Sequence, residues 1–143
     1  MPDIYHDFPI AVEPRRVFEA ISAPSGLDQW WTKTSSGRAE AGAQYDLGFG
    51  PGYEWRARVS RCVHDKTFEL ELTSADDDWK GTRVGFDLVA TDAVTQLRFR
   101  HIGWPATNEH YRISTFCWAM YLRVLRRYLE FGETVPYEKR LDV

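Results

Sequence analysis

Thr95-Gln96-Leu97-Arg98-Phe99-Arg100-His101-Ile102-Gly103-Trp104-Pro105, followed by a helical stretch from Ser114 to Phe131, decides the fold of this chain. Leu97, Phe99 and His101 alternate with polar residues, as a half-buried strand requires, and Gly103-Trp104-Pro105 breaks it. The helical stretch carries Trp118-Ala119-Met120-Tyr121-Leu122 and closes on Tyr128-Leu129-Glu130-Phe131-Gly132. At about 100° per residue, Arg123, Arg126, Arg127 and Glu130 share a sector of roughly 100°. Apolar residues including Trp118, Tyr121, Leu122, Leu125 and Leu129 fill roughly 200°. That arc is wider than one packing face needs. It predicts contacts beyond the sheet: with N-terminal helices, with the loop around Trp104, or with a second copy in a homodimer.

Upstream of this stretch the period is two. Ile4, Phe8 and Ile10 share one face with His6. Tyr45, Leu47 and Phe49 alternate, as do Tyr53, Trp55, Ala57 and Val59, then Phe68, Leu70 and Leu72, then Val84, Phe86 and Leu88. With the strand ending at His101, this predicts six antiparallel strands with one apolar face. Between the first and second strands, Glu13-Pro14 opens a helix bearing Val17, Phe18 and Ile21 that Pro24 stops. A second short helix after Ser25 or Gly26 carries Leu27, Trp30 and Trp31, and Thr34 to Gly42 reads as a Ser/Gly-rich connection. The order strand, two helices, strands, long helix is α+β, with helices gathered on one side of the sheet. About 17 helical residues span roughly 25 Å, the reach of a seven-residue strand, so one helix can cross the sheet. A curved sheet and a straight helix diverge toward one end, where a cavity forms most easily.

The chain has 143 residues, expected as a single domain over 1–143, and a domain of that size removes roughly 70% of its unfolded surface from water. Aromatic residues make up 15% of it, with six tryptophans, so large rings either fill the core or line a cavity. A formal charge of -3 with scattered acids and bases leaves no basic field for nucleic acid or an anionic membrane. Neither an apolar span nor a leader pattern appears, so the expected location is cytoplasmic. Cys62 and Cys117 read as reduced thiols rather than a disulfide framework.

Tyr45, Trp55, Phe68, Phe86 and Phe99, facing Trp118, Leu122 and Leu125, read either as core or as pocket walls. The two differ only in whether the space is filled. His101, beside the Gly103-Trp104-Pro105 break, and His6 on the first strand can present imidazoles to that space, although a histidine on an apolar face is usually structural. No serine or cysteine carries a signature of nucleophilic activation. Cys62 and His64 share one strand face but have no second pair at ligand spacing, His6, His101 and His110 are dispersed, Asp76-Asp77-Asp78 lacks the spaced ligands of a calcium loop, and Gly48-Phe49-Gly50-Pro51-Gly52 precedes no helix N-terminus. The expectation is no metal, no cofactor, a solvated acidic turn and glycines that turn the backbone.

Four segments resemble the START-like (SRPBCC) superfamily of helix-grip proteins, and within it the relatives of the C-terminal domain of the activator of the Hsp90 ATPase. They are Glu13-Pro14-Arg15-Arg16-Val17-Phe18-Glu19-Ala20-Ile21, Leu27-Asp28-Gln29-Trp30-Trp31, Thr95 to Trp104, and Trp118 to Glu130 with Gly132 and Pro136 after it. They run in the family's order over nearly the whole chain. The resemblance implies a six-stranded sheet gripping the long helix, and a cavity that relatives use for hydrophobic ligands such as lipids, hormones or polyketides. Trp30, Trp31, Tyr45, Trp55, Phe68, Phe86, Phe99, His101, Trp104, Trp118, Tyr121, Leu122 and Leu125 are the candidate ligand-binding residues, with His101 and Tyr121 orienting any polar group. The expected function is non-enzymatic binding of a small hydrophobic, lipid-like or aromatic molecule. The alternatives are a co-chaperone-like module for an Hsp90-type chaperone, and a polyketide cyclase-like or hydrolase-like enzyme using His101.

Overall fold

The computed structural model describes residues 2–142. Its elements run β1 (Ile4–Ile10), α1 (Pro14–Ser22), α2 (Pro24–Trp30), β2 (Thr34–Ser36), β3 (Gln44–Gly48), β4 (Glu54–Val63), β5 (Thr67–Ser74), β6 (Arg83–Thr91), β7 (Val94–Ile102) and α3 (Glu109–Phe131), with a final 3₁₀ helix, Tyr137–Asp142. The strands form one antiparallel sheet in the order β1-β7-β6-β5-β4-β3-β2.

The sheet therefore has seven strands, where periodicity predicts six. The additional strand is β2, inside the stretch read as a connection, with Thr34 opposite Gly48, Ser35 opposite Leu47 and Ser36 opposite Asp46. Three polar residues carry no apolar alternation; backbone pairing defines the strand, and the Ser35 hydroxyl donates to Asp28 at 2.8 Å. Gly48 allows the close approach: a side chain there would run into Thr34.

Both short helices start on proline, whose missing N–H costs nothing in a first turn. Ala23 ends α1 and also precedes α2, so the second helix begins at Pro24 rather than after Ser25. Gly26 lets the two helices touch backbone to backbone, since a Cβ there would lie 2.6 Å from Ala20 Cα.

The long helix starts at Glu109, five residues ahead of the expected Ser114. Asn108 caps it, its side chain accepting the Tyr111 N–H at 2.9 Å, and Gly132, with φ 69°, ends it. Ser114, Trp118, Leu122, Leu125 and Leu129 recur at helical spacing on its buried face. The wide apolar arc spends its remainder in three ways. Tyr121 and Cys117 turn toward the C-terminal 3₁₀ helix and the loops, Tyr111 meets Trp104 edge-on at 5.4 Å, and Ile113 and Phe116 stay 52% and 63% exposed.

Candidate functional site

Inward alternation along β7 delivers Leu97, Phe99 and His101 beneath α3, all buried. His101 is fixed by a chain of hydrogen bonds. The Trp118 indole N–H donates to His101 Nδ1 at 3.0 Å, and because an indole can only donate, that nitrogen is bare and Nε2 holds the ring proton. Nε2 lies 2.8 Å from the Thr82 hydroxyl, which donates onward to the Trp79 carbonyl at 2.6 Å. Trp79 and Trp104 pack on the ring, with centroids 4.5 and 4.9 Å away. Burial, with a smaller contribution from His110, lowers the imidazole pKa to about 3. The group is neutral near pH 7 with both nitrogens engaged, which ties α3, β7 and the β5–β6 loop together.

On one side of His101 the space under α3 is filled. Phe99 meets Trp118 at 4.5 Å and Phe86 at 5.4 Å, and Trp30 meets Phe86 edge-on at 6.0 Å. Two polar ends here are satisfied, Trp30 Nε1–H donating to the Ala20 carbonyl and the Tyr45 hydroxyl to that of Ser22. Burial pushes the Tyr45 pKa up, so this phenol stays protonated.

On the other side the rings open into a cleft of about 340 Å³. Its walls come from every element that reaches this end. Trp31 lies at the C-cap of α2, Phe49 and Tyr53 on the β3–β4 turn, Trp55 on β4, Trp79 on the β5–β6 loop, His110, Ile113, Ser114, Cys117 and Tyr121 on α3, and Tyr137 on the 3₁₀ helix. Contacts run ring to ring: Trp31–Phe49 at 5.5 Å, Phe49–Trp55 at 5.2 Å, Trp55–Trp79 at 5.2 Å, then Trp79 stacked on Trp118 at 5.7 Å. Among the described residues, no Asp, Glu, Lys or Arg lines it. Burial raises the Cys117 pKa, and burial with neighbouring Tyr137 and Cys117 raises that of Tyr121 to about 12, so the thiol and this phenol stay protonated near pH 7.

Residues 11–130 match the family described as activator of Hsp90 ATPase homolog 1-like protein. The chain belongs to this family. It has the helix-grip fold of the START-like superfamily, and it is similar to the chain of the Aha1 dimer from Colwellia psychrerythraea, solved in solution. That chain is 27% identical, with TM-score 0.84, over 93% of this chain and 99% of that one. CalU16 from Micromonospora echinospora is 17% identical, with TM-score 0.74 over 98% of this chain and 84% of that one. DynU16, from the dynemicin biosynthetic locus, is 20% identical with TM-score 0.76; the match takes in 92% of this chain but 48% of DynU16. At those identities the last two show the fold alone. No curated protein sequence matches the chain.

In this activator-of-Hsp90-ATPase-like chain the sequence-predicted residues separate into two groups. Trp55 and Tyr121 line the cleft, with Trp31, itself only 1% exposed and part of the core, behind them. Trp30, Tyr45, Phe68, Phe86, Phe99, His101, Trp104, Trp118 and Leu125 are packed instead in the buried interior, and Leu122 borders a shallow groove of about 300 Å³ between β1 and α3. His6, beside that groove, reaches the Thr115 carbonyl at 3.2 Å.

Trp79, Phe49, Tyr53 and Tyr137 are aromatic walls outside the predicted set; Phe49 and Tyr53, read as the ends of strand alternations, lie on the turn between Gly48 and Glu54. Trp79 follows Asp76-Asp77-Asp78, which resembles a solvated turn, yet Asp76 accepts the Trp79 N–H at 2.9 Å and Asp78 meets His110 Nδ1 at 2.9 Å and Asn108 at 3.2 Å. An Asp three residues before a Trp, closing an Asx-type turn, was the available signal. Among the described residues no three His, Cys, Asp or Glu side chains are grouped to hold a metal ion, and no helix is long and apolar enough to cross a membrane.

Proposed function

We propose that the cleft holds a small, uncharged, flat apolar molecule, aromatic rather than lipid-like, and that the protein binds it without chemical change. The observation that carries this reading is the cleft itself: about 340 Å³ walled by seven large rings, Trp31, Phe49, Tyr53, Trp55, Trp79, Tyr121 and Tyr137, with no Asp, Glu, Lys or Arg among the described lining residues. That volume lies at the lower end of small-molecule sites, and ring walls favour stacking on a flat ligand. A long acyl chain would need the space under α3, which Phe99, Phe86 and Trp118 fill. His101 offers a ligand neither a vacant nitrogen nor a solvent path, so acid–base chemistry through it is not part of this reading.

Native mass spectrometry of the purified chain, with a fluorescence titration using N-phenyl-1-naphthylamine, tests the proposal. The expected result is a co-purified small mass or saturable binding that Trp55→Ala weakens. Neither a bound mass nor saturation at micromolar protein would remove it.

A second reading, a docking module for an Hsp90-type chaperone, is supported by the family and by exposed Ile113 and Phe116 on α3. The Colwellia relative, a dimer, extends it to self-association. A changed ATPase rate of an Hsp90-type chaperone on addition of this protein, lost in Phe116→Ser, would favour it. Unchanged rates would count against it, and sedimentation velocity reports the subunit count.

A further inference from the structure

Tyr137 reaches the cleft from a part of the chain beyond the family match, which ends at residue 130. Gly132 reverses the backbone after α3, and the 3₁₀ helix Tyr137–Asp142 returns toward α2. Two anchors hold it there.

The first is Tyr137 itself. Its hydroxyl donates to the Phe49 carbonyl at 3.1 Å, so the ring spans the cleft's edge from the C-terminal segment to the β3–β4 turn. That turn has room to move, because Gly50 and Gly52 have positive φ and open space where a Cβ would be. The second anchor is Arg140, only 4% exposed. Its guanidinium donates to the carbonyls of Thr32 at 3.0 Å, Asp28 at 2.5 Å and Val135 at 3.2 Å. Asp28 and Thr32 lie at the C-terminal end of α2, where carbonyls lack helical partners and a cation suits the helix dipole. The same guanidinium lies 5.4 Å from the Tyr137 ring centroid, and the Lys33 ammonium 6.0 Å from it. One buried cation thus fixes the end of the helix that presents Trp31 and also sets where Tyr137 stands opposite it.

We infer that Tyr137 is a specificity-determining residue of the cleft, and that the C-terminal 3₁₀ helix is a strap, latched by Arg140, that sets the size of ligand the cleft accepts. This rests on the reading of the cleft as a ligand site. With the strap latched, the Tyr137 ring is a wall and a compact two-ring molecule is favoured. Without that ring the cleft extends toward solvent and tolerates a longer one. Arg140 acts through Tyr137, as a positioning residue.

The test compares dissociation constants of the full chain for 1-naphthol and for the larger N-phenyl-1-naphthylamine. Tyr137→Ala is expected to weaken 1-naphthol relative to the larger amine by at least about tenfold, the scale on which apolar pockets discriminate size. Arg140→Gln should move the ratio the same way. Tyr137→Phe keeps the ring and loses only the bond to Phe49, so the ratio should hold while both probes dissociate about three- to tenfold faster. Circular dichroism identifies any variant that fails to fold, and Tyr137→Leu, which keeps an apolar anchor in the strap, then takes the place of Tyr137→Ala. A ratio unchanged in the folded variants while the unaltered chain binds both probes overturns the strap and leaves the cleft. Failure of both probes to bind the unaltered chain overturns the cleft reading and the strap with it.

Discussion

The two ends of the space between α3 and the sheet are built from the same kinds of residue and come out differently. At one end Trp30, Phe86, Phe99 and Trp118 pack without a gap; at the other Trp31, Trp55, Tyr121 and Tyr137 surround a cleft. The difference lies in what supplies the remaining wall. At the closed end α1 and α2 lie over the sheet and insert Val17, Phe18, Ile21 and Trp30. At the open end the wall is made of the β3–β4 turn, the β5–β6 loop and the C-terminal strap, which cannot bring side chains in at the same density. Aromatic content does not separate a core from a pocket; the backbone that closes over the rings does.

The contrast breaks most readily at Trp118. Trp118→Ala should cost about 3–5 kcal/mol in urea unfolding, from the cavity it leaves. Trp55→Ala, at the half-buried cleft wall, should cost about 1 kcal/mol while weakening probe binding. Equal costs would mean that both ends are core.

The next effect is on pH dependence. His101 has a folded pKa of about 3, below its ordinary 6.5, so between those values the unfolded chain holds a proton that the folded chain lacks. Its contribution is complete above about pH 6.5 and falls as pH drops toward 3, by up to ~1.4 kcal/mol per pH unit. His101→Gln should be less stable at pH 7 yet show a shallower decline between pH 6.5 and 5 in denaturant titrations. An unchanged slope would place water at the closed end.

Asn108→Ala removes the cap of α3 near the open end and should cost about 1 kcal/mol by the same measurement, lowering helicity at the first turn. Smallest is Phe116→Ser on the exposed side of α3, where the thermal midpoint should change by no more than the equivalent of about 0.5 kcal/mol. A larger loss would show that this face is covered in solution.

Much of the closed end is legible from the sequence, because periodicity reports burial. The inward sets Tyr45–Leu47, Phe68–Leu70–Leu72 and Leu97–Phe99–His101 fall where alternation puts them, and Trp118, Leu122 and Leu125 where a 3.6 period does. The open end is legible only in part: Trp55 and Tyr121 follow the strand and helix periods, whereas its other rings stand on turns, loops and the C-terminal segment. Trp79 sits behind three aspartates, Phe49 and Tyr53 flank a glycine turn, and Tyr137 belongs to a short C-terminal segment among charged residues. For the same reason β2, three polar residues held by backbone pairing and serine hydrogen bonds, escapes notice. The five residues missing from the start of α3 were signalled by Asn108-Glu109, a cap followed by an acidic first turn.

The Trp118-to-His101 hydrogen bond also makes the molecule self-reporting. An indole proton donated into a dry, neutral imidazole cannot trade with deuterium while that contact lasts, so it leaves only when α3 lifts from β7. Its resonance is therefore a side-chain clock for the breathing of the grip, readable without a ligand, and separate from the backbone amides that report on the sheet.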